Sequence, residues 1–305
     1  MAFRTGRHAL LALAFALGCK PTIAEPALAD RIDVHYPAEH VAFAVLGDYG
    51  SAGAAAAAVA ELVHGWNPDI VITLGDNNYP NGRRATIDAN VGQYYHRYIS
   101  PYVGKYGPGA SENRFFPTLG NHDWRTRDIS PYLEYFTLPG NERYYNFVWG
   151  PVEFFAVDSD RREPDGVDVD SRQAAWLRDA LAASQTPWQV VYLHHAPYSS
   201  GAHGSVETLR WPFHAWGADI VLSGHDHHYE RVMRDEGPYV VQGLGGHPRR
   251  YAIHDPIPNS TVRYNDAHGA MRVHADPHRM TFAFVTTTGA VVDTFTLSHP
   301  EAAPP

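Results

Sequence analysis

Five short apolar runs in this chain each stop at a polar cluster, and that repeated boundary narrows the possible folds more than any other feature. His40 to Leu46 runs into Gly47-Asp48-Tyr49-Gly50, and Asp69 to Leu74 into Gly75-Asp76-Asn77-Asn78-Tyr79. Phe115 to Leu119 runs into Gly120-Asn121-His122-Asp123, and Trp188 to Leu193 into His194-His195. The last, Asp219 to Ser223, runs into Gly224-His225-Asp226-His227. Continuous apolar runs of this length read as strands buried on both faces. Helical patterns lie between some of them. Ala52 to His64 is alanine-rich and approaches Gly65 and Pro68, and Asp170 to Ala183 carries Ala174, Leu177 and Leu181 on one face. Strand, polar loop and helix in repetition give a mixed α/β class. In open sheets of that class, ligands collect beyond the carboxyl ends of the strands, so five separate strand ends can offer their polar residues to one region.

The remaining segments read differently. Gly269 to Leu297 has the pattern of a β-meander, with strands over Ala270 to His274, Met280 to Thr286 and Val291 to Leu297 and a turn at Thr288-Gly289. Residues 80–114 and 246–268 are rich in Gly, Pro, Asn and Tyr and are expected to be cleft rim or plain connectors. Within 243–247, Gly-Leu-Gly-Gly-His follows a strand-like Tyr239 to Gln242 and is expected to be a plain turn or to approach the site by its backbone, without the context of a nucleotide-binding loop.

The N-terminus has the layout of an export signal. Arg4, Arg7 and His8 precede an apolar run from Ala9 to Gly18, and Ala27-Leu28-Ala29 resembles a cleavage site. The run is too short to span a bilayer. The expected organisation is a signal over 1–29, one catalytic domain over 30–299 and a disordered tail over 300–305. Cleavage after Ala24 or Ala29 is expected, placing the protein in a periplasm or outside the cell. The only cysteine, Cys19, follows Ala16-Leu17-Gly18, a degenerate lipoprotein box, which leaves open a lipid anchor as well as free secretion. The body beyond it has no cysteine, so metal ligation would rest on His, carboxylate, amide and phenolate groups. A net charge of −9 over 305 residues argues against a general nucleic-acid binder. A small phosphate substrate stays compatible, because bound cations reverse the local field.

The strand-end residues form a donor set. Asp48 and Asp76 offer anionic oxygens, Asn121 an amide oxygen and Tyr79 a phenol. His225, His227 and either His194 or His195 offer imidazoles. These six or seven groups exceed what a tetrahedral zinc site uses and suit two adjacent ions sharing a bridging carboxylate. Paired ions clamp the attacking and leaving oxygens in a displacement at phosphorus.

The blocks GDYG, GDNNY, GNHD, VYLH and GHDH resemble the motifs of the calcineurin-like metallophosphoesterases. Tyr79, three residues after Asp76, and the ending HHYER narrow the resemblance to the purple acid phosphatases, in their compact, mammalian-size form. The resemblance implies a four-layer fold, with two packed β-sheets flanked by helices. It implies Fe³⁺ on Asp48, Tyr79 and His227, and a divalent ion (Fe²⁺, Zn²⁺ or Mn²⁺) on Asn121, His194 and His225, with Asp76 bridging. The V-x-x-H spacing and the alignment of His194 to Gly204 favour His194 over His195. His122 and His203 would face the phosphate oxygens and the leaving group, while a hydroxide held by the metals attacks phosphorus. Asp123 and Asp226 are expected to orient ligand histidines, and His228 to pack or face solvent. Arg231 is expected to touch substrate or form a structural ion pair. The implied function is an exported acid phosphatase acting on a small phosphomonoester, of unassigned oligomeric state. Its rivals are a phosphodiesterase of the same superfamily and a non-hydrolytic iron-binding redox protein.

Overall fold

The computed structural model describes residues 1–2, 39–234 and 236–299. The chain divides into two compact units, 1–30 and 31–305, and the elements described all belong to the second. The signal segment, Cys19 and the tail over 300–305 lie outside the described residues, apart from Met1 and Ala2. No helix among the described residues is long and apolar enough to cross a membrane.

The strands in chain order are β1 (Val41–Leu46), β2 (Ile70–Thr73), β3 (Phe115–Pro117), β4 (Tyr145–Trp149), β5 (Val152–Ala156), β6 (Trp188–Tyr192) and β7 (Ile220–Ser223). They continue with β8 (Tyr229–Arg234), β9 (Gly237–Gln242), β10 (Ser260–Tyr264), β11 (Gly269–Ala275), β12 (Arg279–Thr286) and β13 (Val291–Ser298). They form two sheets, ordered β13-β12-β11-β1-β2-β3 and β10-β8-β9-β7-β6-β5-β4. All five apolar runs are strands. Within the first sheet β1, β2 and β3 run parallel. Within the second β5, β6, β7 and β9 do so. The C-terminal meander pairs antiparallel with β1 through β11 and so completes the first sheet.

Alternation along the buried strands explains the layering, because successive side chains point to opposite faces. In the second sheet, Phe154, Val190, Tyr192, Ile220, Leu222 and Val240 join the core shared with the first sheet. There the Phe43 and Phe154 rings meet edge to face at 5.0 Å. Their neighbours Phe155, Val191, Val221 and Tyr239 face a second core. Ala174, Leu177 and Leu181 of the helix Arg172–Ala183 cover that core. This helix starts where the Ser171 hydroxyl accepts a bond from the Ala174 amide, a side-chain N-cap. The helix Ala54–Trp66 lies against β11 and sends Val59, Ala60 and Val63 into the larger core. It begins two residues later than expected and passes through Gly65. Asn67, in the left-handed conformation at φ 48°, ends it just before Pro68.

The two segments expected to be loop-rich contain more structure than that. Residues 84–98 are a chain of short helical turns, and Ser260–Tyr264 is strand β10 on the edge of the second sheet. The HHYER segment enters strand β8, which removes Arg231 from the site. Its guanidinium donates to Asp293 at 2.7 and 3.1 Å, and Tyr229 donates to the same carboxylate at 2.9 Å. Asp293 lies on β13, so this ion pair joins the two sheets, and of the two expected roles for Arg231 the structure shows the ion pair.

Arg231→Met would leave the Asp293 carboxylate buried without its cation. We expect a loss of stability of about 3 kcal/mol, read by urea denaturation. We expect KM for a phosphate ester to stay within about twofold, because the residue is remote from the substrate. A large change in KM at unchanged stability would restore the substrate-contact role.

Candidate metal centre

The site forms where the carboxyl ends of β1, β2 and β3 meet those of β6 and β7. Backbone geometry at these ends is unusual. Asp48, Asp76 and His225 all take positive φ, at 56°, 54° and 70°, a region L-residues rarely enter. The preceding glycines are required by crowding. Gly75 also has φ +84°, and a Cβ there would lie 2.6 Å from the His194 Nδ1 atom. A Cβ on Gly120 would lie 2.2 Å from the Asp76 amide. Each Gly-polar pair is therefore a tight turn that leaves space for the next strand end.

The donor atoms gather into two groups. In the first, the Tyr79 hydroxyl donates to Asp48 Oδ1 at 2.9 Å, and His227 Nε2 lies 3.2 Å from both. In the second, His194 Nε2 lies 3.1 Å from Asn121 Oδ1 and 3.1 Å from His225 Nδ1. Asp76 lies beside the second group, with Oδ1 3.5 Å from His194 Nε2. One ligand atom each from Asp48, Asp76 and His194 falls within 4.8 Å of the others, linking the groups. Ligands bound at about 2.0–2.2 Å stand roughly 3.0–3.5 Å apart around a transition-metal ion. The observed separations have that size.

Proton positions support the same reading. A backbone carbonyl can only accept, so a histidine nitrogen facing one carries the proton. His194 Nδ1 faces Leu74 O at 2.8 Å, and His227 Nδ1 faces Arg249 O at 2.6 Å. When neutral, both rings present Nε2 lone pairs to the site, toward other lone pairs. Such a buried cluster is unfavourable unless a proton or a cation fills it. The proton solution shows in the first group. Burial alone would raise the Asp48 carboxyl and lower His227, but their mutual attraction outweighs it, so Asp48 is held low and His227 high. Tyr79 is pushed well above the usual phenol range by burial, then by the charges of Asp48 and Asp76. A phenolate there needs a strongly polarising cation. The residues therefore fit a pair of metal ions. His225 is held low by burial and by His194, His195, His203 and His227.

The other expected site residues separate. His122 donates its amide to Asp76 Oδ1 at 2.8 Å and Nδ1–H to Pro80 O at 2.6 Å, leaving Nε2 3.9 Å from Asp76 Oδ2. Its ring packs on Tyr79 at 4.3 Å. His203 is exposed and stacks on His225 at 4.2 Å. His195 packs against both His194 and His225, at 4.9 and 4.5 Å, and burial followed by His194 pushes it down to about 3.

Asp123 and Asp226 do not orient ligand histidines by contact with their rings. Asp123 Oδ2 accepts from the Gly120 and Asn77 amides and from the Asn77 side chain, at 2.9–3.2 Å. It ties the Asn121 loop to the Asp76 loop. Burial and the Asp76 charge push it up to about 7. Asp226 accepts from the Ser199 hydroxyl at 2.6 Å, the His203 amide at 2.8 Å and the Gly204 amide at 3.2 Å. It holds the loop that carries His203. His228 is buried and donates Nε2–H to Glu230 at 3.1 Å.

Two contributors, Tyr251 and Ser159, have no place in the sequence reading, and a third, His247, lies in the segment expected to be a turn or to approach the site by its backbone. His247 of the Gly-Leu-Gly-Gly-His segment packs on Tyr79 at 4.4 Å and on His227 at 4.5 Å, and its amide donates to Asp48 O. Tyr251 stacks on His227 at 4.3 Å. Ser159 lies behind His194 and His195, after β5. A signal for Ser159 was present, since Val152 to Val157 is a sixth apolar run ending in the polar cluster Asp158-Ser159-Asp160.

Comparison with known proteins shows what the chain is similar to. The family model described as calcineurin-like phosphoesterase matches residues 33–229. Purple acid phosphatase 17 of Arabidopsis thaliana is 28% identical over 268 residues, covering 76% of each chain. Tartrate-resistant acid phosphatase type 5 of Mus musculus is 23% identical over 298 residues, covering 83% of this chain and 89% of that one. The solved purple acid phosphatase PPD1 from yellow lupin superposes with a TM-score of 0.70 at 20% identity, over 85% of this chain and 54% of that one. This chain thus spans about half of the lupin protein. GAP50, titled the anchor in the inner membrane complex of Plasmodium, superposes with a TM-score of 0.66 at 17% identity, over 86% of this chain and 90% of that one. At these identities the structural likenesses establish the fold alone.

Glu230 anchors the other end of the His203 loop. Its carboxylate accepts from the Ser200 amide at 2.7 Å, the Ser200 hydroxyl at 2.5 Å, His228 and the Ser260 hydroxyl. Burial would raise its pKa, but these donors pull it down to about 2. A depressed acid contributes stability above its unfolded pKa and loses it as pH falls through the folded value. Glu230→Gln should therefore destabilise most at neutral pH, with the deficit shrinking from about pH 4.5 toward pH 2. Melting temperatures across that range test this, and a deficit independent of pH would contradict it.

Proposed function

We propose that this chain, which belongs to the calcineurin-like phosphoesterase family and is a metal-dependent phosphoester hydrolase, is an acid phosphatase acting on phosphomonoesters. The carrying observation is the two donor groups linked through Asp48, Asp76 and His194, one containing a phenol and a carboxylate, the other neutral. A hard trivalent ion matches the first group, and a divalent ion the second. In this reading Asp48, Tyr79 and His227 hold Fe³⁺. Asn121, His194 and His225 hold Fe²⁺, Zn²⁺ or Mn²⁺, and Asp76 joins them. When bound, the metals supply charge neutralisation for the phosphoryl group and lower the pKa of coordinated water.

The chain's own residues place the substrate and move protons. His122 has its Nδ1–H committed to the Pro80 carbonyl, so Nε2 is the atom that gains a proton as pH falls. Burial lowers its pKa, and protonation therefore requires acid. The protonated ring then donates toward a phosphoryl oxygen. His203 is held through its backbone by Asp226 and sits in the open side of the site, suited to protonate a departing alkoxide. Asp226 and Glu230 anchor the loop that carries His203.

The purified protein with iron in the first position should show a broad visible absorption that Tyr79→Phe removes. The wild type should cleave p-nitrophenyl phosphate with a kcat/KM at least about tenfold above that for the bis-ester. An iron-loaded wild type without the absorption would remove the Fe³⁺–phenolate assignment. A preference for the bis-ester would favour a phosphodiesterase on the same centre, and absence of either hydrolysis with both metals bound would favour a redox role.

A further inference from the structure

Two adjacent histidines follow β6, and the sequence sets them in competition for a single ligand place. The hydrogen bonds give them different tasks. A serine hydroxyl has two lone pairs and one proton. The Ser159 Oγ accepts from the amides of His194 and His195, at 3.2 and 2.9 Å, which occupies both lone pairs. Its proton then goes to His195 Nδ1, 2.9 Å away. With Nδ1 accepting, the neutral His195 ring carries its own proton on Nε2. His194 is the opposite tautomer, because its Nδ1–H is given to the Leu74 carbonyl. His194 therefore brings a lone pair to the centre, while His195 brings an N–H. A metal ion needs the first and is repelled by the second.

The His195 ring lies at the edge of the second donor group. One ring nitrogen of His195 lies within 4.8 Å of a ring nitrogen of both His194 and His225. Among the described residues, Nδ1 is the only nitrogen of that ring with a hydrogen bond. His195 is half-buried, so an N–H on its other nitrogen is open to a ligand oxygen or water.

We propose that His195 is an oxyanion contact of this site, donating Nε2–H to the bound phosphoryl group, with Ser159 as the positioning residue that sets its tautomer. This rests on the phosphatase reading above, and it adds a donor beside His122 and His203. The interaction leaves His195 unchanged through the reaction, since it gives a hydrogen bond and keeps the proton.

The test uses zinc-loaded full-length protein and inorganic phosphate as the probe. His195→Phe should keep the wild-type metal content and weaken phosphate binding by about tenfold, measured by calorimetry. His195→Gln, whose amide N–H reaches a similar place, should recover most of that loss. Ser159→Ala should weaken phosphate binding less, by about threefold. It should also shift the His195 ¹⁵N resonances of the zinc protein away from the Nε2–H pattern. Loss of one metal ion in His195→Phe would make the residue a ligand and overturn the proposal. So would phosphate binding within twofold of wild type, or a wild-type Nδ1–H resonance pattern. Wild-type protein that holds two metals but binds no phosphate would overturn the phosphatase reading, and this proposal with it.

Discussion

The fold depends on a seam between two sheets, and the Asp48 carboxylate is its most demanding element. This group is fully buried. Oδ2 accepts the His225 amide at 2.8 Å, and Oδ1 meets the Tyr79 hydroxyl and His227. It thus links the end of β1 to the loop after β7, which belongs to the other sheet. Backbone bonds run in parallel with it. Gly245 N donates to Gly47 O, His247 N to Asp48 O and Gln242 Nε2 to Val45 O. Thr118 donates its hydroxyl to Val157 O across the same seam. A buried carboxylate costs several kcal/mol unless it is paired. The close approach of the sheets is what supplies its partners.

That seam also sets the chemistry. Leu74, Pro80 and Arg249 each point a main-chain carbonyl at a histidine Nδ1. These contacts orient the rings and leave Nε2 of His194, His227 and His122 facing the centre. Carbonyls hold their positions because the strands and turns that carry them are themselves fixed. The arrangement is consequently preorganised, with lone pairs brought together before any cation arrives. At His195 a hydroxyl, that of Ser159, meets Nδ1 in place of a carbonyl, which is the basis of the tautomer proposed there.

Much of this was legible in the sequence because strand ends are short-range features. Apolar runs followed by a polar cluster, opened by glycine in all but β6, marked β1, β2, β3, β6 and β7, and with them the seven proposed ligands. The rest depends on contacts that a single motif does not show. Asp123, beside His122, and Asp226, between His225 and His227, look like partners for ligand histidines because they lie next to site residues in sequence. Asp226, between two ligands on a turn, serves the His203 loop instead, and Asp123 ties the Asn121 loop to the Asp76 loop. His247 looked like part of a turn because its importance comes from ring packing against Tyr79 and His227, residues 168 and 20 positions away. Arg231 joined β8, where strand pairing, invisible in a single motif, directs it to Asp293. Ser159 was missed although its strand carries the same signature as the others, since the polar cluster after β5 holds no obvious metal donor set.

The central claim is that this seam holds two metal ions in separate, unequal places. Anomalous diffraction from crystals of the metal-loaded protein tests it most directly. Two maxima are expected, one bounded by Asp48, Tyr79 and His227 and the other by Asn121, His194 and His225, with Asp76 touching both. A single maximum, or one centred on His195 and away from Asn121, would contradict the account.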